Sequence, residues 1–240
     1  ADDYLKNCLS EFSSRDLPQG AELLVRRMKG RRVAAAEICL LCEAGGEGAA
    51  KAGTEALGLS LAARGAAGQR PGALSGRLSD AGASLELRAL GRDALCLELV
   101  APSEGLQGSL TALAAALAKP AFMEAPGPSA SEFAAARRSL EIAALRRESD
   151  SAQRASQRLE AELHGGPSES ALGSARSLLA IDGEQTRRHW GKSIRAGRFR
   201  IVVVGDLDPD ELALALAPFF ASMPGEPAEA PASMGAAAQP

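Results

Sequence analysis

Aromatic side chains are scarce in this 240-residue chain: one Trp, one Tyr and six Phe. The hydrophobic residues, 46% of the total, are therefore largely aliphatic. Such a core packs closely and favours helix-rich layers. An excess of basic charge is missing too: 27 Lys and Arg face 30 Asp and Glu, a net charge of −3. That removes the positive field on which nonspecific nucleic-acid binding depends. No apolar run approaches the roughly 20 residues of a membrane-spanning helix. The length is enough to bury a substantial core, in one large domain or two small ones.

Cysteine is sparse, at positions 8, 39, 42 and 96. Cys39-Leu-Leu-Cys42 has C-x-x-C spacing, but its setting, Val33 to Cys42, reads as a buried strand. Residues three apart on a strand point to opposite faces, which suits neither a shared metal nor a mutual disulfide. No second C-x-x-C completes a zinc knuckle, so the expectation is buried structural thiols. The sequence starts at Ala1-Asp-Asp, compatible with a signal-peptidase product and hence with export to the periplasm, and equally with a chosen end.

What is present is an orderly succession of turn signals and periodic segments. Leu17-Pro-Gln-Gly20 is a turn after a polar, irregular start. Ala21 to Met28 and the strand from Val33 are expected to form a hairpin about the basic turn Lys29 to Arg32. A loop at Gly45 to Gly48 leads to an Ala-rich helix closed by Gly65. A short helix over Ala73 to Ala81 follows. Ala83 to Ala89 alternates as a half-buried strand does and turns at Gly91 into Ala94 to Val100. Ser103 is placed to cap a helix over Glu104 to Ala118. Ser131 is placed to cap a long helix to about Glu162, whose interleaved Arg and Glu read as a solvated face. Helices near Ser168 to Ala180 and Glu184 to Ile194 precede Arg198 to Gly205, an apolar strand suited to the middle of a sheet. Asp208, Pro209, Asp210 and Glu211 start the last helix as cap, first-turn Pro and dipole-stabilising acids, which accounts for the acidic cluster without a metal. Residues 1–16 form an N-terminal extension, 17–224 a single domain, and the Pro/Ala/Gly-rich 225–240 a linker or tail. This order gives an α+β fold: a two-layer sandwich with helices packed on one face of a mainly antiparallel sheet.

Several segments carry a resemblance. Leu17 to Arg26 resembles the opening strand of the pitrilysin/insulinase zinc metallopeptidases and their mitochondrial processing peptidase relatives. Glu43 to Glu47 looks like their Gly-rich loop, and Leu78 to Ala83 like the turn before their substrate-side strand. Arg200 to Leu212, followed by Phe219, Phe220 and Pro224, looks like their closing strand and helix. Gly53 to Gly65 has the spacing of the helix that carries H-x-x-E-H in that family. The similarity covers about Leu17 to Pro224.

In such a helix the two histidines, one turn apart, grip zinc and the glutamate serves as base for its water. Here those positions are Ala56, Leu59 and Ser60, none of which can do either. The third family ligand, a glutamate on the long later helix, aligns with Ala143 or Ala144; Glu141 would point elsewhere on that helix. The two histidines, His164 and His189, lie on separate segments and read as cap or surface groups. Ser60 has no evident His partner for a serine-hydrolase arrangement.

The resemblance therefore implies a domain with no catalytic residues, no metal ligands and no cofactor of its own. It would be the structural or peptide-binding half of a multidomain or oligomeric assembly. Its partner would be a second peptidase-like domain or subunit, a homodimer included, and extended peptides. Ser84, Leu85, Glu86 and Leu87 match the strand that pairs with substrate by β-augmentation in active relatives. Two alternatives stand beside this reading. In one, the chain is part of an active zinc endopeptidase whose H-x-x-E-H site lies in another domain or subunit. In the other, it is purely an assembly domain.

Overall fold

A computed structural model describes residues 11–42, 52–70, 72–91, 93–163 and 170–225. The Gly45–Gly48 loop, His164 and nearly all of the 225–240 tail lie outside them. Six strands form one sheet: β1 (Ser13–Asp16), β2 (Glu22–Arg27), β3 (Val33–Leu41), β4 (Ser84–Leu90), β5 (Ala94–Pro102) and β6 (Phe199–Gly205). Their order is β1-β2-β6-β3-β5-β4, with only β2 and β6 parallel. Among the described residues eight α-helices complete the α+β layers: α1 (Thr54–Ala62), α2 (Ala73–Asp80), α3 (Ser103–Ala118), α4 (Ala130–Ser149), α5 (Ser151–Leu163), α6 (Ala175–Leu179), α7 (Gly183–Ser193) and α8 (Pro209–Ala221).

Alternation along the strands explains the layering. Leu23, Ile38, Leu97 and Ile201 point into a single core shared with Leu57, Leu110 and Leu216 of the helices. On the opposite face Leu24, Glu37, Glu98, Arg200 and Val202 stay half-buried, and Glu86 and Arg88 are exposed. Two of the few aromatics tie the last strand to the last helix, Phe199 and Phe220 meeting edge to face at 5.9 Å.

β6 takes the third place in the sheet, as its apolar run indicates. That position overturns the expected hairpin, because β6 separates β2 from β3. Apart from Arg200, β6 is apolar on both faces, and the core accepts it ahead of direct β2–β3 pairing. The basic turn instead crosses the end of β6, where Met28 N–H donates to Gly205 O (2.8 Å) and Gly30 N–H to Asp206 Oδ2 (2.8 Å). Gly205 permits this crossing, since a Cβ there would lie 2.3 Å from Ala34 Cβ.

Other expectations need local correction. Ser13–Asp16, polar and seemingly irregular, pairs with β2 as an edge strand. The expected long helix to Glu162 is two helices, broken where Asp150 is extended (φ −84°, ψ 119°) and its carboxylate accepts from Ala152 N–H (2.8 Å). Ser129, rather than Ser131, caps α4, in a reciprocal box with Glu132. Ser103 Oγ does not cap α3; it donates to Arg31 O (2.6 Å) and fastens the basic turn. Cys39 and Cys96, expected as thiols, form a cross-strand disulfide between β3 and β5. Register explains it: the two residues are direct partners on the same face. Asp208 caps α8 as expected, accepting from Asp210 N–H (3.0 Å) and Glu211 N–H (3.3 Å).

Candidate functional site

α1 is the helix on which a metallopeptidase would place its chemistry. Its start is set by two crossing glycines. Gly53 has φ 97°, and a Cβ there would lie 2.9 Å from Leu178 Cδ2. Gly173 has φ 77°, and a Cβ there would lie 2.5 Å from Ala52 O. Only glycine tolerates both the left-handed backbone and the close approach. Arg147 on α4 holds the second strand of this crossing through Ser170 Oγ and Gly173 O (3.0 Å). Burial lowers the Arg147 pKa from its ordinary value, against a smaller opposing effect of Glu148.

From that start α1 runs inward, packed by α7, α4 and α3. Ala56 and Leu59 are 0% exposed; Ser60 is half-buried. Gly58 lets Trp190 lie against the helix, since a Cβ would sit 2.8 Å from Trp190 Cε3. Ala144 on α4 is buried and Ala143 half-buried. Glu141 pairs with Arg137 on its own helix at 3.3 Å. The matched ligand positions, Ala56, Ser60 and Ala143 or Ala144, thus offer methyl groups and one hydroxyl, with no imidazole or carboxylate among them. This donor set does not fit a catalytic zinc.

What α1 does carry is an ion-pair cluster that the sequence reading passed over. Glu55, buried in the first turn, accepts from Arg198 Nη2 at 2.7 Å, and its Oε1 lies 3.3 Å from His189 Nε2. Arg198, itself buried, also donates from Nε and Nη2 to Leu41 O (2.8 and 2.6 Å) and from Nη1 to Ser193 O (2.8 Å). One guanidinium therefore joins α1, the end of β3, the end of α7 and the start of β6. Burial by itself raises the Glu55 pKa; the His189 hydrogen bond and the Arg198 charge outweigh it and hold the carboxyl below its ordinary value. His189 is thus the partner of a buried carboxylate rather than a surface group. The only advance sign of the cluster is a lone arginine at the head of an apolar strand.

Ser84, Leu85, Glu86 and Leu87 lie on β4, at one edge of the sheet. Leu85 and Leu87 lean on the core, while Ser84 and Glu86 are exposed. Among the described residues β4 pairs only with β5, on one side. The backbone groups along its other side are a template for an added strand. The structure brings Ala56, Leu59 and Ser60 together on α1 and sets the four β4 residues on a different element, at the far end of the sheet from β1.

Neither a family model nor a curated protein matches the sequence. Solved structures do match, and they define the class: an α+β fold of the M16-peptidase type. A peptidase M16 inactive domain from Pseudomonas fluorescens superposes with a TM-score of 0.70 over 92% of this chain and 52% of that one, at 22% identity. The first half of the periplasmic protease PqqL from Escherichia coli gives 0.72 over 92% and 48%, at 14% identity. Pitrilysin gives 0.70 over 90% and 23%, at 16% identity. The chain has the pitrilysin-type peptidase fold. It spans about half the length of the first two chains and about a quarter of pitrilysin's.

Proposed function

We propose that this chain is the non-catalytic half of a two-domain or two-subunit peptidase-like assembly. The observation that carries this is the donor set of α1. Ala56, Leu59 and Ser60 stand where the fold's enzymes need two imidazoles and a carboxylate, and the first two are fully buried. Fold alone does not decide function, so the reading rests on those side chains. The partner is a second domain of the same fold, and a copy of this chain would serve. Zinc chemistry, where the assembly has any, belongs to that partner.

The test uses the protein with its disulfide closed, loaded with Zn²⁺ and dialysed. Expected are no stoichiometric zinc and no cleavage of an unfolded polypeptide. One zinc per chain together with peptide cleavage would overturn the proposal.

Peptide capture at β4 is the activity such a half retains. An extended chain would add to the open edge at Ser84–Leu87 by main-chain hydrogen bonds. Amide exchange of residues 84–90 is expected to slow when a permanently unfolded polypeptide is added. Unchanged exchange there would leave the pure assembly role. The Cys39–Cys96 disulfide supports maturation in an oxidising compartment, in line with an exported chain. Recovery of the native protein from cells with both thiols alkylatable would contradict export.

A further inference from the structure

The face of the sheet opposite the main core holds the one group of metal-ligating side chains found among the described residues: half-buried Glu37 and buried Cys39 and Cys96, with a ligand atom from each within 4.8 Å of the others. We propose that these three residues form a binding site for a soft divalent cation of the zinc class when the two cysteines are in the dithiol form.

The register builds the site. Glu37 and Cys39 lie two apart on β3 and share a face, and Cys96 is the direct partner of Cys39 on β5. Two thiolates and a carboxylate are the ligand types zinc takes, leaving a fourth, tetrahedral position to water. Glu37 has no hydrogen-bond or ion-pair partner among the described residues, although it sits half-buried mid-sheet directly opposite Glu98. Like charges placed opposite each other destabilise a sheet. Glu98 pairs directly with Arg88, whereas Glu37 feels that guanidinium only through space; a bound cation gives Glu37 a direct partner.

The row through the cysteines reads Arg200, Cys39, Cys96, Arg88 across four strands. Two thiolates, a carboxylate and a dication leave one net negative charge, which the guanidiniums of Arg200 and Arg88 offset. In the disulfide form the sulfurs are neutral, and the arginines keep Glu98 and Glu22 as partners.

The experiment uses the full chain carrying Cys8→Ser and Cys42→Ser, to remove the other cysteines. A water-soluble phosphine cleaves the disulfide: with one water it yields two thiols and the phosphine oxide. After its removal the protein is titrated with Co²⁺ while thiolate-to-cobalt charge-transfer and tetrahedral ligand-field bands are followed. Expected is one Co²⁺ per chain, displaced by Zn²⁺, with no bands in the oxidised protein or in Cys96→Ser. Glu37→Gln, which retains both thiols, should weaken binding by more than the roughly tenfold that loss of an outer-shell partner costs. Circular dichroism covers the case in which reduction unfolds the chain; refolding on metal addition supports the site, and failure to refold overturns it. Absent charge-transfer bands, or a Glu37→Gln affinity equal to the parent's, would also overturn it. The site is independent of the reading of α1, so a negative peptidase assay leaves it standing.

Discussion

α1 and the face of the sheet opposite the main core invert what the fold would lead one to expect. The helix that bears chemistry in the fold's enzymes is here the most inert element: its residues pack an apolar interior, and its only charge is locked to Arg198. That face of the sheet keeps two cysteines, three glutamates and two arginines in adjacent rows of the register. The difference teaches that α1 serves this fold as a beam: its glycines at 53 and 58 allow the close approach of neighbouring elements.

The comparison can be broken most severely at Arg198. Arg198→Ala removes a buried charge partner of Glu55 together with the guanidinium bonds to Leu41 O and Ser193 O. Breaking a buried pair from one side costs about 3–5 kcal/mol, read by urea denaturation. A loss under about 1 kcal/mol would show that the cluster is not a fastening of α1. On the sheet side, reduction of Cys39–Cys96, separated by 57 residues, is expected to cost about 4 kcal/mol by the loop-entropy relation. Thermal unfolding with and without reductant measures it, and an unchanged Tm would remove the disulfide from the stability argument.

A smaller effect sharpens the picture of α1 as a packed beam. Gly58→Ala gains up to about 1 kcal/mol of helix propensity but drives a methyl into Trp190. Overpacking of this kind costs about 1–3 kcal/mol, so the net change should be destabilising. A more stable variant would mean that the Trp190 contact is loose. The smallest effect is in pH. The Glu55 carboxyl is held below its ordinary value of 4.5. Its contribution is therefore fully present above that value and is lost as pH falls through the lower, folded-state value. Below about pH 4.5 the stability gap between wild type and Glu55→Gln should narrow as the pH falls. A gap that widens on acidification would reverse the sign of the argument.

Elements whose cause is local could be read from sequence. Asp208-Pro209 starts α8 through its own side chain and ring, and the alternation from Ser84 to Ala89 gives β4 without knowledge of its neighbour. Features set by a distant partner could not. Ser13–Asp16 is a strand only because β2 offers an edge, and nothing apolar in it announces that. The Cys39–Cys96 bond needed the β3–β5 register, whereas the sequence drew attention to Cys42 through its spacing. Helix periodicity ran across Asp150, where a side chain capping the following turn divides α4 from α5. At the site, α1 itself was legible because the glycine spacing from Gly53 to Gly65 marks its ends. The Glu55–Arg198–His189 cluster was not, since its members lie 134 and 143 residues apart.

The place of β6 has a consequence for how the chain reaches this structure. Leu24 and Glu37, near the N-terminus, both take their cross-strand neighbour from Val202. Until that residue arrives, β2 and β3 are separate pieces with apolar edges exposed. Such long-range pairing slows folding and prolongs the exposure of unpaired strands. The nascent chain thus stays incomplete until almost all of its domain has been synthesised. Truncation before Phe199 should give a product that aggregates through those two edges rather than a smaller folded unit.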